Sequence, residues 1–226
     1  MLDLKENKSV WADASAFAGS ERKAKPADPD APRLLNWSAP EPSDDGSRTV
    51  ITVRSLDNKD RWFVTVGRDG TPHDKDAFVG TMEMNAIGTF NVSRLAAAAM
   101  GANEPDDEGE RGVIVNTASI AGIEGQTGQL AYAAAKAAIL GMTLPMARDL
   151  SPLGIRVCAI APGTMGTPLM MSTPEELQAH LVSTIQFPKR MGKPEEFALL
   201  VESIVRNPYL NGESIRLDGA LRFPPK

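Results

Sequence analysis

The stretch Arg111-Gly-Val-Ile-Val-Asn-Thr-Ala-Ser119, followed thirteen residues later by Tyr132-Ala-Ala-Ala-Lys136, decides how this chain folds. The β-branched run over 113–115 reads as a short apolar strand, and the Gly-containing segment behind it as a loop. An Ala- and Leu-rich run over 132–150 then reads as a helix, and a second apolar strand follows over 155–160. Strand, helix and strand in this rhythm describe a parallel sheet covered by helices, an α/β layout.

Outward from that core the rhythm continues. Residues 76–100 read as one long helix whose apolar positions include Phe78, Met82, Ile87, Phe90, Val92 and Leu95, with Gly80 and Gly88 breaking its amphipathic register. The acidic segment 103–111 ends it. Downstream, Pro162-Gly163 stops the second strand, and Pro174-Glu-Glu and Pro194-Glu-Glu each open a helix with proline in the first turn and acids near the positive end of the dipole. The last helix runs to about residue 206, and a short strand over 214–217 precedes Asp218-Gly219.

Upstream the character changes. Prolines at 26, 29, 32, 40 and 42 lie among Ala, Asp and Ser, a composition that resists both helix and sheet. Residues 1–46 are expected to form an atypical, loose or disordered arm, too poor in apolar groups to offset the entropy of ordering. Two strand-like runs, 49–53 and 62–66, offer a hairpin at the start of an α/β domain spanning 47–226.

Composition narrows the function. The length suits one domain with a full core, and the net charge is −5 with Lys and Arg scattered, so the basic stripe that a phosphate backbone demands is absent. Nucleic acid is not an expected partner. The apolar runs 94–101 and 131–144 are interrupted by Gly or Lys and read as too short to span a bilayer, so no membrane is expected either. Cys158 is the sole cysteine, which rules out an intrachain disulfide and an all-cysteine metal site. His73 and His180 show no ligand spacing, so no metal is expected. The opening Met1-Leu-Asp-Leu-Lys-Glu resembles neither a secretory signal nor a transit peptide, and cytoplasm is the expected compartment.

Tyr132 and Lys136 lie four apart near a helix start and so share a face. Such a pair is common on solvated helices. Ser119 makes it more specific, because it follows the C-terminal end of a strand, where open parallel sheets bind their ligands.

The full set of motifs resembles the short-chain dehydrogenase/reductase family. Asn116-Thr-Ala-Ser119, Tyr132 and Lys136 match its active-site pattern, Asn85 in Met84-Asn-Ala-Ile-Gly-Thr-Phe-Asn91 its helix asparagine, and Ala161-Pro-Gly-Thr-Met-Gly-Thr-Pro168 its cofactor loop. Arg190-Met-Gly-Lys-Pro-Glu-Glu and Asn211-Gly-Glu-Ser-Ile-Arg-Leu-Asp-Gly219 resemble its C-terminal signatures. Within the family, Glu124-Gly-Gln-Thr-Gly-Gln129 and Gly141-Met-Thr-Leu-Pro-Met-Ala-Arg-Asp-Leu150 are most similar to the type 2 3-hydroxyacyl-CoA dehydrogenase group.

The resemblance implies a Rossmann-like doubly wound parallel sheet and an NAD-dependent interconversion of secondary alcohol and ketone on acyl-CoA or steroid-like substrates, in a homo-oligomer, specifically a homotetramer. It makes Tyr132 the acid/base, with Lys136 lowering its pKa and holding the nicotinamide ribose, Ser119 the hydrogen-bond donor to the substrate oxygen, and Asn85 a helper. Pro162, Gly163, Met165 and Thr167 join Tyr132 and Lys136 against the cofactor. Gln126 and Gln129, with Ser119, are candidates for the substrate pocket; Asn85 bonding only its own helix and surface positions for the glutamines are the plainer readings.

One family feature is absent. No Thr-Gly-x-x-x-Gly-x-Gly turn, which would bring backbone N–H groups to a pyrophosphate, occurs ahead of the long helix. The N-terminal dinucleotide-binding half is therefore expected to be missing or replaced, as in a truncated or frameshifted chain with the resemblance starting near Gly67. A catalytically silent scaffold or partner subunit is the alternative to an enzyme.

Overall fold

The computed structural model describes residues 64–225. The expected arm 1–46 and the strand-like run 49–53 lie outside the described residues. Of the second run only residues 64–66 are described, and there Val66 forms an isolated antiparallel bridge with Pro72.

Three strands form one parallel sheet in the order β1 (Gly112–Thr117), β2 (Ile155–Pro162), β3 (Ser214–Leu217). Between β1 and β2 the chain crosses through helix α3 (Leu130–Leu150), and between β2 and β3 through α4 (Pro168–Met171), α5 (Glu175–Thr184) and α6 (Pro194–Arg206). Parallel neighbours require such crossovers. Ahead of β1 lie α1 (Lys75–Met82) and α2 (Gly88–Met100), joined by a π-helical turn, Glu83–Ile87. Among the described residues β1 is an edge strand.

Helices cover both faces of the sheet. Along β2 the side chains alternate: Ala161 joins Ala118, Ile120, Ile139, Ile185 and Leu221 on the α3 side. Cys158 and Ile160 join Ile204 on the other, where Phe197, Leu200 and Val201 of α6 pack. A strand buried on both faces reads as a continuous apolar run, which is what 155–161 shows apart from one residue.

That residue is Arg156. Its guanidinium makes a bidentate pair with Glu110 at 2.7 and 3.0 Å and donates to the carbonyls of Ile204, Val205 and Leu210. Every direction of the fork meets an acceptor, so the buried charge is compensated and ties β2 to the loop before β1 and to the end of α6.

The sequence reading of the elements is close. Both expected strands lengthen by one or two residues at each end or at one end, with Pro162 inside β2, and α3 starts at Leu130. The long helix is interrupted by the π turn between Gly80 and Gly88 instead of at either glycine. Its buried residues are small or linear, Ala86, Ser93, Ala97 and Met100, whereas Ile87, Phe90 and Val92 are exposed. The run-length expectation needs correction: Lys136 and Gly141 do not interrupt α3, which continues through a 3₁₀ turn to Leu153. These 24 residues are long and apolar enough, by length and composition, to cross a membrane. In the fold, however, Ala131, Ala135, Ile139, Thr143 and Ala147 recur at every fourth position and form its buried stripe, and α3 lies against β2.

Two stability tests follow. Ile160→Ala, at a fully buried position, is expected to lower unfolding free energy by about 2–5 kcal/mol, whereas Leu199→Ala, 61 % exposed, should change it by less than about 0.5 kcal/mol. Urea unfolding of the two variants side by side measures this. The second concerns Glu196, whose pair with Arg190 (2.7 and 2.9 Å) and bond from Lys193 N hold its carboxyl at about 2. A depressed folded-state pKa contributes stability above the unfolded value near 4.5, lost as pH falls through about 2. Glu196→Gln should therefore flatten the pH dependence of the urea midpoint within that window and leave it unchanged above it.

Candidate active site

Ser119 ends β1's extension and caps the 3₁₀ turn Ile120–Gly122, its Oγ accepting from Ala121 N at 3.1 Å. Backbone φ of −166° and ψ of 153° keep the residue extended, so the side chain is delivered at the C-terminal edge of the sheet. It is buried. Gly122 makes the turn's position possible: a Cβ there would lie 2.7 Å from Ala137 N and 2.8 Å from Lys136 C, on the backbone of α3. Gly125 meets Ala133 in the same way at 2.6 Å.

Helix α3 brings the other two groups to this turn. Ser119 on the turn lies close enough to the Tyr132 phenol to favour its charged form. Although 39 % of Tyr132 is exposed, burial pushes its phenol above the ordinary value, and Ser119 offsets part of that shift. One turn along α3, Lys136 places Nζ 5.7 Å from the tyrosine ring centroid and donates to the Thr117 carbonyl at 3.2 Å. Burial pushes the Lys136 ammonium below its ordinary value. The groups that set the direction at Tyr132 are burial, which raises it, and Ser119, which opposes it.

Asn85 lies in the π turn, a feature that frequently marks functional positions. Its side-chain Nδ2 donates to the Thr81 carbonyl at 3.1 Å, and its own carbonyl accepts from Thr89 Oγ1 at 2.6 Å. The amide bonds its own helix, the plainer of the two sequence readings. Nearby on β1, buried Asn116 accepts from Ser93 Oγ through Oδ1, while its Nδ2 has no partner among the described residues.

The segment after β2 holds the four expected cofactor-loop residues. Pro162 pairs in register with Leu217, and Gly163 N donates to the Leu217 carbonyl at 2.9 Å. A side chain on Gly163 would strike Asp218 at 2.8 Å, so only glycine lets this loop lie against the turn after β3. Met165 bridges to Gly192, its thioether where a Cβ on that glycine would be, and Thr167 caps α4 by accepting from Met170 N at 3.3 Å. Thr164, Met165, Ile185, Pro188, Leu217 and Asp218 line a cavity of about 230 Å³ beside this loop.

The two glutamines are engaged elsewhere. Gln126 N donates to Gln129 Oε1 at 3.1 Å, and Gln126 Nε2 donates to the Pro224 carbonyl at 3.1 Å. The C-terminal tail thereby occupies the amide assigned to a substrate pocket. Sequence reasoning did not find the ionic cluster beside it. Arg216 holds Glu124 bidentately at 2.7 and 3.3 Å and also donates to Asp218 at 2.7 Å, and Asp218 further accepts from Arg222. The partners sit in motifs quoted above, but Glu124 and Arg216 are 92 residues apart and nothing in the pattern pairs them.

Residues 66–178 match the family model described as short chain dehydrogenase. The 3-hydroxyacyl-CoA dehydrogenase type-2 of Homo sapiens is 56 % identical over 158 residues, covering 70 % of this chain and 60 % of that protein. The ipsdienol dehydrogenase of Ips pini is 40 % identical over 151 residues, 67 % of this chain and 60 % of its own. A crystal structure of 3-hydroxyacyl-CoA dehydrogenase type-2 from Mycobacterium avium superposes with a TM-score of 0.70 at 53 % identity, over 74 % of this chain and 64 % of that one. The chain thus spans about 60 % of the length of the curated relatives it matches. With its parallel sheet, its covering helices and Ser119, Tyr132 and Lys136 gathered at the strand ends, the chain belongs to the short-chain dehydrogenase family.

Proposed function

We propose that the chain is an NAD-dependent oxidoreductase that interconverts a secondary alcohol and a ketone on 3-hydroxyacyl-CoA-like thioesters. The observation that carries this reading is the meeting of Ser119, on the turn after β1, with Tyr132 and Lys136 on one face of α3, where Lys136 Nζ lies 5.7 Å from the tyrosine ring centroid and donates to the Thr117 carbonyl at 3.2 Å. Those three groups supply the proton handling that such an oxidation needs. Tyr132 takes the alcohol proton as the carbonyl forms, and gives it back in the reverse direction. Ser119 donates to the same substrate oxygen and stabilises the negative charge that develops there. A catalytically silent scaffold would have no use for this set.

The residues fit the nicotinamide–ribose end of a dinucleotide. Lys136 commits one of its three ammonium donors to Thr117, leaving the others to hold ribose hydroxyls. Gly163 keeps the loop after β2 low against the turn at Asp218, and Pro162, Met165 and Thr167 complete the wall beside it. Bound NAD would supply the hydride acceptor. For the adenosine end, the described residues offer no Gly-rich turn. Asn85 is a helper placed in the π turn next to α3, and Gln126 and Gln129 shape the rim of the substrate site through the loop they brace.

The names of the relatives support the thioester substrate. The exposed apolar side chains on the two long helices, Phe90 and Val92 of α2 and Leu144 of α3, support a homo-oligomer, by family likeness a homotetramer.

Full-length protein titrated with NADH is expected to show saturable binding below the millimolar range and to oxidise a 3-hydroxyacyl-CoA thioester with NAD. Tyr132→Phe should lower kcat by about 10²–10⁴-fold and Ser119→Ala by about 10²–10³-fold, with NADH affinity kept in the serine variant. An unmodified chain that binds no NADH at millimolar concentration sinks the enzyme reading and leaves the scaffold.

A further inference from the structure

Between Ser119 and Tyr132 the chain runs through residues 123–129, and the polar braces on that loop from outside its own turns come from Arg216 of β3 and from the C-terminal tail. Glu124 Oε1 accepts from Arg216 Nη2 at 2.7 Å and from Phe223 N at 3.1 Å. Gln126 Nε2 donates to the Pro224 carbonyl at 3.1 Å. Thr127 donates to the Pro225 carbonyl twice, from N at 3.0 Å and from Oγ1 at 2.9 Å. Arg216 completes the frame by donating to the Leu221 carbonyl at 3.0 Å, just before the tail turns toward the loop. Leu221 is fully buried in the cluster beneath the site, beside Ala118, Ile120 and Ile139, with Phe223 against it.

We propose that Glu124 and Arg216 are a positioning pair, which clamps the tail 221–225 across the loop 123–129 and thereby fixes the Tyr132 phenol against Ser119. Neither residue touches the reacting atoms. Glu124 N donates to the Ile120 carbonyl in the turn that Ser119 caps, and Gln129, bonded to Gln126, caps the helix that carries Tyr132. The loop is therefore tied at both ends to the groups whose spacing matters. A displacement of about an ångström at such a site costs on the order of a hundredfold in rate. The ion pair is also well placed to persist: both side chains are about one-fifth exposed, and the Arg216 guanidinium holds the Glu124 carboxyl below its ordinary range. This role in turnover rests on the enzyme reading above; the geometric claim about Tyr132 does not.

The chain has two tyrosines, and the second, Tyr209, is almost fully exposed. In a Tyr209→Phe background, near-ultraviolet absorbance of phenolate against pH reports Tyr132 alone. Ser119 and Lys136 are the polar groups that face this phenol in the structure, and neither is altered by the variants. Two variants loosen the clamp differently. Glu124→Gln removes the charge from the pair, and a chain ending at Phe223 removes the carbonyls that hold Gln126 and Thr127. In both, the Tyr132 midpoint is expected to fall toward the ordinary phenol value, because entry of water relieves the burial that holds it up. kcat should fall about ten- to a hundredfold, with KM for the thioester within about threefold. Folded variants with an unchanged midpoint overturn the proposal. If Glu124→Gln does not fold, the chain ending at Phe223 decides by the same criterion. Should the parent protein neither bind NADH nor turn over, the enzyme reading fails, and the Tyr132 midpoint alone still decides the clamp.

Discussion

The site depends on how closely the turn after β1 approaches the backbone of α3. At Gly122 there is no room for even one carbon, since a Cβ would fall at 2.7 Å from a main-chain nitrogen of that helix. Backbone against backbone cannot yield as a flexible side chain can, so this contact sets the distance between Ser119 on the turn and Tyr132 on the helix. Gly125 makes a second close approach nearer the helix start, against the Ala133 methyl group. The small residues of α3 that look unremarkable in sequence, Ala131, Ala133 and Ala135, keep the helix near the sheet and the turn.

Around this contact the fold distributes its charges economically. Arg156, inside the central strand, meets a carboxylate and three carbonyls. Arg216, at the other end of the sheet, meets two carboxylates and a carbonyl. Both use the planar fork of arginine to join segments far apart in sequence, a task lysine's single ammonium does poorly. One closes the N-terminal edge of the strands and the other the C-terminal edge, where Ser119, Tyr132 and Lys136 lie.

Much of this was legible before the structure. The strands and the helices after residue 110 were readable because buried parallel strands are continuous apolar runs and because proline and paired acids mark helix starts. Ser119, Tyr132 and Lys136 were readable because their spacing is set by local geometry, a strand end and a helix turn. Three kinds of feature were not. The π turn at Glu83–Ile87 has no glycine or proline to announce it, and the expected break fell on Gly80 and Gly88 instead. The exposure of Phe90 and Val92 could not be read from an apolar pattern, since periodicity tells which residues share a face and not whether anything covers it. The Glu124–Arg216 pair and the tail bonds of Gln126 and Thr127 join positions 92 to 98 residues apart, and composition carries no information about such partners. For Gln126, the bond from its amide to the Pro224 carbonyl is one that nothing in the local sequence announces.

The placement of that clamp has a consequence for the order of assembly. A chain leaves the ribosome N-terminus first, at about 5–20 residues per second, and the parts already outside begin to fold. Strand β1, the Ser119 turn and the whole of α3 emerge long before Arg216. During that interval the loop 123–129 lacks the partners that brace it, and contacts across so long a stretch form late because the intervening chain must first be closed into a loop. Ser119 and Tyr132 are thus made well before the segment that braces the loop between them.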